Sequence, residues 1–460
     1  MTKKKKILLL SDDLRMHSGI ATMSREFVLN TVKEFDWVQL GAAENHPEHG
    51  KALDLSADIA KQTGVEDAYV RVYCNSGYGN PTVLRELIQA ERPDAILHFT
   101  DPRFWGWLYS MEHELRQFCP IMYYTIWDDT PYPRWNKPFY QSCDLLMCIS
   151  KQTHNIVKQV LSDCDYKDWQ ITYVPHGINS NQFFPITETH DQWNEFQEYK
   201  KKMLPEGVEF VVFHNARNIR RKHTSDLILA YKEFCDKLSK EEADKCLLLF
   251  HTEPIDNNGT DLIAVIKELC PNYKVKFTPS RIISTKELNF LYNMSSISAN
   301  LASNEGFGLG TAESVMAGKP IVVNVTGGLQ DQCGFKNEKG EYLSAEDYND
   351  AMPTNAEGTY KDCGSWAKPV FPAVRTLQGS PATPYIFDDI VCYRDAANKI
   401  HEWYSTSVED RTKFGAEGRE YFMSEASGLS ADSMGKRFIK DINTMFENWT
   451  PRERVQIVKI

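Results

Sequence analysis

The feature that most constrains this chain is an alternation carried through both halves of the sequence. Short, almost unbroken apolar runs are separated by stretches with helical spacing. In the front half Ile7–Leu10, Ala95–Phe99, Ile121–Ile126, Leu145–Ile149 and Ile171–Val174 read as buried strands, with helices over Ile20–Glu34, Thr82–Glu91 and Gln152–Leu161. The back half repeats the grammar. Its strands are Phe210–His214, Leu247–His251, Val275–Phe277, Ile297–Leu301 and Ile321–Val325, and its helices Ser225–Leu238, Asp261–Leu269, Thr285–Asn293 and Thr311–Ala317. Continuous apolar strands alternating with helices imply parallel sheets covered on both faces. Two such series imply an α/β protein of two doubly wound domains, residues 1–186 and 207–437, joined through the polar stretch Thr187–Gly207. Gly334–Asp389 breaks the rhythm with frequent Pro and Gly and reads as an irregular insertion, after which helices resume near Tyr393–Tyr404.

Composition removes several classes. The longest apolar runs fall far short of the ~20 residues of a membrane span. The basic start Met1–Lys6 is followed by too few apolar residues for a secretory signal. The formal net charge of −11 is shared by both halves, which argues against a basic domain dedicated to nucleic acid. Eleven cysteines at irregular spacing, with no Cys-x-x-Cys, imply reduced thiols, no structural zinc and a cytoplasmic protein.

In parallel sheets ligands bind beyond the carboxyl ends of the strands, so the residues following each run carry the chemistry. After the first strand, Ser18-Gly19 opens a helix, where backbone amides can approach a phosphate. No Gly-x-Gly-x-x-Gly and no Gly-Lys-Ser/Thr is present. The segment Asn215-Ala216-Arg217-Asn218-Ile219-Arg220-Arg221-Lys222 places Arg217 and Lys222 at a strand end, where a diphosphate needs positive charge. The strongest constellation is Asn304-Glu305-Gly306-Phe307-Gly308-Leu309-Gly310-Thr311-Ala312-Glu313. Its alternating glycines make a loop leading into a helix near Thr311. Glu305 is then expected in the loop, Glu313 in the first helical turn, and the amides of Phe307, Gly308 and Leu309 exposed toward whatever Glu305 holds. A carboxylate accepting two sugar hydroxyls beside a helix N-terminus fits a nucleotide-sugar site. The blander reading makes Glu313 a helix-capping acid.

With Ala317-Gly318-Lys319-Pro320, Gly327-Gly328 and Val174-Pro175-His176-Gly177, these motifs resemble the retaining glycosyltransferases of the GT-B fold, specifically the large family four. The compact form also looks like members from large DNA viruses and phages. The resemblance implies two Rossmann-like domains facing across a cleft, with a C-terminal helix (about 438–460) crossing back to the first. It implies that Glu313 holds the nucleotide ribose and Glu305 the donor-sugar hydroxyls. Arg217 and Lys222 would stabilise the leaving diphosphate, helped by amides near Gly19. It implies a nucleotide sugar, UDP-linked, as substrate, with no further cofactor and no metal.

On the acceptor side many members carry a His where this chain has Trp127, so Asp128 or Asp129 is expected to take over, with His98 as another strand-end candidate. Trp105 and Trp127 belong to an aromatic cluster suited to stacking on a sugar or an extruded base. The expected acceptor is a glycan or small molecule. The alternative is hydroxymethylated DNA, with glucosyl or arabinosyl transfer to 5-hydroxymethylcytosine-type bases. That alternative needs a basic path, for which Arg85, Arg92, Arg103, Arg116, Arg134 and Lys137 are the candidates, and host cytoplasm as location. A nucleotide-sugar epimerase and a non-catalytic nucleotide-sugar-binding protein are the remaining alternatives.

Overall fold

The computed structural model describes residues 3–453. The chain divides into two compact units. The first comprises Met1–Trp127, Tyr132–Gly177 and Ala431–Ile460, the second Asp128–Pro131 and Ile178–Ser430.

The first unit is built on eight strands: β1 (Lys5–Asp12), β2 (Phe35–Ala43), β3 (Ala52–Asp54), β4 (Val70–Ser76), β5 (Ala95–Phe99), β6 (Ile121–Thr125), β7 (Leu145–Cys148) and β8 (Ile171–Tyr173). They lie in the order β3-β4-β2-β1-β5-β6-β7-β8, all parallel except the edge pair β3–β4. Central β1 explains its own apolar run: Ile7, Leu8, Leu9 and Leu10 are fully buried, as a strand covered on both faces requires. Strands β2 and β4 escape the apolar signature because polar residues interrupt them. Gln39 of β2 is buried, yet its amide donates to Ser11 Oγ and the Asp12 carbonyl, each at 2.8 Å, and its Oε1 accepts from Leu14 N at 3.1 Å. A buried glutamine is thereby satisfied while it fixes the loop after β1.

The terminal helix starts at Ala431, earlier than residue 438, and runs to Asn448 within the first unit. It lies along the helix Gly19–Thr31, with the Phe27 and Phe438 rings stacked at 4.7 Å between centroids. A Cβ at Gly435 would sit 2.9 Å from Asn30 Cβ, so glycine sets the helix separation there. Of the expected terminal segment, residues 454–460 lie outside the described residues.

The second unit contains a six-stranded, fully parallel sheet in the order β11-β10-β9-β12-β13-β14. Its strands are β9 (Phe210–Asn215), β10 (Cys246–His251), β11 (Val275–Phe277), β12 (Ile297–Asn300), β13 (Ile321–Asn324) and β14 (Ala367–Val370), followed by the antiparallel hairpin β15 (Val374–Ser380) and β16 (Thr383–Ile390). Two expectations change here. The stretch Thr187–Gly207 is no bare linker: Trp193–Met203 is a helix of the second unit. Its Phe196 and Tyr199 rings pack on Phe290 at 5.7 and 5.5 Å, and the break between units falls at Gly177/Ile178. Gly334–Asp389 is not an irregular insertion either, since it supplies the edge strand β14 and most of the hairpin. Strand β14 reads Ala-Lys-Pro-Val, and an edge tolerates both Pro and Lys, which erases the apolar pattern of the interior strands. Its Val370 is in the core of the unit, and Trp366, just before it, is buried with its indole N–H on the Gln332 carbonyl at 2.9 Å.

Among the described residues no helix is long and apolar enough to cross a membrane, and all eleven cysteines are free thiols. Because the segment completes the sheet, deleting residues 334–389 is expected to unfold the second unit, and Trp366→Ala alone to cost about 3–5 kcal/mol. Chemical denaturation followed by far-UV circular dichroism checks both. A deletion variant that still unfolds cooperatively at the wild-type denaturant midpoint would restore the insertion reading.

Candidate functional site

The carboxyl ends of β9, β12 and β13, adjacent in the second sheet in the order β9-β12-β13, carry the loops singled out in the sequence. The glycine-rich loop depends on two backbone constraints. Gly308 caps the helix Leu309–Met316 at φ 90°, a left-handed conformation that favours glycine. Gly327, in the loop after β13, comes so close that a Cβ there would lie 2.0 Å from the Glu305 carbonyl oxygen. The same carbonyl accepts from Gly328 N at 2.9 Å. Gln332 braces the other side, its amide donating to the carbonyls of Phe307 (2.6 Å) and Gly308 (3.0 Å). The helix begins at Leu309, two residues before Thr311, so Glu313 falls in its second turn. The capping role for that acid is thereby removed. Phe307 and Gly308 are buried, against the exposed loop expected, with Leu309 half-buried at the helix start.

Within this frame the structure brings four charges together. Lys222, from the loop after β9, forms an ion pair with Glu305, and both side chains are about nine-tenths buried. Arg221 donates to the Asn304 carbonyl and lies 4.0 Å from Asp128 Oδ2. Burial pushes the Lys222 ammonium below its ordinary range more strongly than Glu305 pulls it up. For Glu305 burial acts upward, but Lys222 and Arg221 together outweigh it and hold the carboxylate below its usual range. Asp128 is raised, by burial first, with Arg221 opposing and Glu305 reinforcing the shift.

Glu313 stands in a different environment. Its Oε2 accepts the Tyr292 hydroxyl at 2.6 Å, and that hydroxyl accepts from Asn215 Nδ2 at 2.8 Å. With no cation opposite among the described residues, burial pushes Glu313 up to about 7. Beside the cluster, His214 donates from Nδ1 to the Ala299 carbonyl at 2.9 Å, and its buried Nε2 has no partner among the described residues. Sequence reasoning assigned no role to Arg221, Asn215, Tyr292 or His214. Asn215 and Arg221 belong to the same strand-end segment as Arg217 and Lys222, which was the available signal, whereas Tyr292 looks like any helical aromatic.

The other candidates lie elsewhere. Arg217 is 65% exposed and paired with Asp256 at 2.9 Å, apart from the Lys222–Glu305 pair. Gly19 is exposed at the first position of its helix, beside the cap residue Ser18. His98 is corrected from a catalytic candidate to a core residue. It is fully buried between Tyr109 Oη (2.7 Å) and Thr100 Oγ1 (3.0 Å), and burial pushes it down to about 3, so it stays neutral. Trp105 is likewise fully buried, tilted against His98 at 5.1 Å, and offers no face to an acceptor. Trp127 is half-buried, edge-on to Trp135 at 5.4 Å. Asp129 has no exposed surface and binds Arg375, so it too is corrected from an acceptor contact to an internal one.

Most of the proposed basic path is neutralised within the first unit. Arg85 binds Glu114, Arg103 binds Asp101, buried Arg116 binds Asp144, Lys137 binds Asp163, and Arg134 donates to the Gln159 carbonyl. Among the described residues one group, Asp13, His46 and Cys74, has the spacing of a metal site. A cation already occupies it. His46 Nδ1 accepts from Glu48 N, so its Nε2 proton points at Asp13 (3.0 Å), and Arg15 reaches both Asp13 (3.0 Å) and Cys74 Sγ (3.2 Å).

Residues 195–350 match the family described as Glycosyl transferases group 1. The mannosylfructose-phosphate synthase of Agrobacterium fabrum is 24% identical over 194 residues, 41% of this chain and 39% of that synthase. Among solved structures, Anabaena HepE in complex with UDP and glucose superposes with TM-score 0.60 at 14% identity, covering 96% of this chain and 100% of that one. Sucrose-phosphate synthase from Thermosynechococcus elongatus gives TM-score 0.64 at 14% identity, with the same coverage. The chain thus has the two-domain GT-B fold, and the segment of its second unit that bears the glycine-rich loop is similar to glycosyl transferases group 1.

Proposed function

We propose that the protein is a retaining glycosyltransferase that moves a sugar from a UDP-linked donor to a hydroxyl of a glycan or small molecule. The observation that carries this reading is the buried Lys222–Glu305 pair, set against the glycine-rich loop inside the matched segment. A donor can exchange that internal pair for two external contacts. Its diphosphate takes the Lys222 ammonium, and the sugar hydroxyls donate to the freed Glu305 carboxylate. Glu313, at the far end of the same segment, accepts the ribose hydroxyls. The HepE structures, solved with UDP and glucose and with UDP-glucose, support a uridine donor.

Transfer proceeds by front-face attack. The acceptor oxygen bonds to the anomeric carbon as the bond to the diphosphate breaks, and the acceptor proton passes to the departing phosphate oxygen. Lys222 and Arg221 spread the charge that develops on the leaving group, and Arg217 joins them by exchanging its partner Asp256 for the diphosphate. Glu305 and Glu313 are binding carboxylates and not a nucleophile–acid pair of the glycosidase kind. No cofactor beyond the donor takes part. A neutral acceptor suits this chain better than DNA, because five of the six cations proposed for a phosphate path already have partners. Eleven free thiols suit a reducing cytoplasm.

Three outcomes are expected. Glu305→Gln should lower turnover about 10²–10³-fold while the fold persists, read as UDP release, with proton NMR of the wild-type product showing the donor's anomeric configuration. An inverted product, or a donor isomerised without acceptor, would replace this reading with another. Binding of UDP-glucose should depend on pH through Glu313. That carboxyl is neutral below about 7 and cannot then accept both ribose hydroxyls, so Kd should weaken about tenfold per pH unit below 7 and level off above it. Calorimetry from pH 5.5 to 8.5 tests this, and Glu313→Gln should bind weakly with a flat profile. Across a salt series, duplex DNA should show no micromolar binding. Salt-dependent binding with sugar transfer to hydroxymethylcytosine would favour the DNA acceptor instead.

A further inference from the structure

The hairpin β15–β16 had no role in the sequence, yet it makes several polar contacts to the loops of the site. Arg375 of β15 donates from Nη2 to Asp129 Oδ1 (3.1 Å) and Thr130 Oγ1 (3.2 Å), and from Nε to Asp389 of β16. Its guanidinium lies over the Phe387 ring at 4.6 Å. Both carboxylates are fully buried, and Asp389 is also bound by Thr326 Oγ1 at 2.8 Å. Backbone and side-chain contacts tie the same strand to two loops. Phe387 N donates to the Thr130 carbonyl at 2.8 Å, Asp389 N to the Ser303 carbonyl at 3.1 Å, and Asn304 Nδ2 to the Phe387 carbonyl. Ser303 and Asn304 lead directly into Glu305, while Asp129 and Thr130 follow Asp128.

Asp128 therefore sits between two anchors. On one side its carboxylate lies 4.0 Å from Arg221, within the cluster that holds Lys222 and Glu305. On the other its neighbours Asp129 and Thr130 are clamped by Arg375. Its own backbone is tight against the Gly327 loop, where a Cβ would come within 3.1 Å of the Asp128 carbonyl oxygen. Burial and the Asp389 charge push Asp129 above the usual carboxyl range, while the Arg375 guanidinium opposes the shift. A buried cluster held by this many hydrogen bonds is a rigid support, and one unmet partner would make it a costly one.

We propose that Arg375 is a positioning residue: by clamping Asp129, Thr130 and Asp389 it holds the Asp128 carboxylate at the Arg221–Lys222–Glu305 cluster, where Asp128 faces the transferred sugar. This rests on the donor-site reading above for the role of Asp128. The clamp itself rests on the contacts of the hairpin. A planar fork serving three acceptors on two segments is work for arginine, and a lysine cannot reproduce it.

The test uses the full chain with Arg375→Met, Arg375→Lys, Asp128→Asn and the double variant Arg375→Met/Asp128→Asn. Amide hydrogen exchange is read at Thr130 and Phe387, together with UDP affinity and UDP release from UDP-glucose. In both Arg375 variants exchange at these two amides is expected to quicken about tenfold or more, with β9, β12 and β13 unchanged. UDP affinity should stay within about twofold while kcat falls about 100-fold. Asp128→Asn should lose as much, and the double variant should be no slower than either single, because the two act through one contact. Should Arg375→Met unfold the unit, seen as quickened exchange throughout, Arg375→Lys decides. Unchanged exchange at Thr130 and Phe387 in the folded variants, or losses that multiply in the double variant, overturns the proposal. A wild-type protein that neither binds UDP nor releases it sinks the donor reading instead, and the exchange measurement still decides the clamp.

Discussion

The second unit is organised around one buried ion pair, Lys222 with Glu305. Taking an ammonium and a carboxylate out of water is expensive, and the cost is met only where geometry and neighbouring dipoles are favourable. Here the neighbours are supplied by backbone that only glycine permits: Gly308 in a left-handed conformation and Gly327 against the Glu305 carbonyl. Such a pair is a poor way to stabilise a fold, since apolar side chains of similar volume would serve as well or better. It is a good way to keep a cation and a carboxylate apart from water until a ligand offers each of them another partner. The loops after β9, β12 and β13 are placed by the order of adjacent parallel strands, so the sheet topology itself brings the two charges to one edge.

Two glutamates eight positions apart in the same segment illustrate how environment divides identical chemistry. Glu305 faces Lys222 and Arg221, which hold it ionised. Glu313 faces a tyrosine hydroxyl and no cation, and is raised to about 7. One carboxylate is therefore charged throughout the physiological range, whereas the other changes state near neutrality. The same contrast separates Asp128, exposed to Arg221, from Asp129, enclosed with a second carboxylate and a shared guanidinium. Pairs of acids whose surroundings push them apart are where function concentrates.

The interior strands could be read from the sequence because burial on both faces demands continuous apolar residues, and Ala95–Phe99 and, to within one residue, Ile121–Thr125 fall where that pattern puts them. Strands that lack the demand left no such trace. Strand β2 holds a glutamine that serves the adjacent loop, and β14 at an edge admits proline and lysine. The Lys222–Glu305 cluster and its glycine loop were legible because core packing alone seldom calls for a run of glycines or for charged side chains at strand ends. The acceptor side was not. His98 and Trp105 occupy strand-end positions in the sequence but point into the core, and sequence spacing alone does not say which way a side chain faces. Arg375 was invisible for another reason: its partners Asp129 and Asp389 lie far away along the chain or across a hairpin turn, and nothing local marks a long-range clamp.

The net charge of −11 takes on a more specific meaning once partners are assigned. A global excess of acid does not by itself forbid a polyanionic acceptor, since a local groove of cations would suffice. What weighs against such a groove is that five of the six cations available for it are already engaged. Arg116 is buried against Asp144, Arg85 and Arg103 each face a carboxylate at the surface, and Lys137 is matched with Asp163. A phosphate backbone would have to break each pair, exchanging one anionic partner for another and gaining little from counterion release. An acceptor that brings hydroxyls and no charge asks nothing of these pairs. A neutral acceptor is therefore favoured by the pairing of the charges, which a count of them cannot reveal.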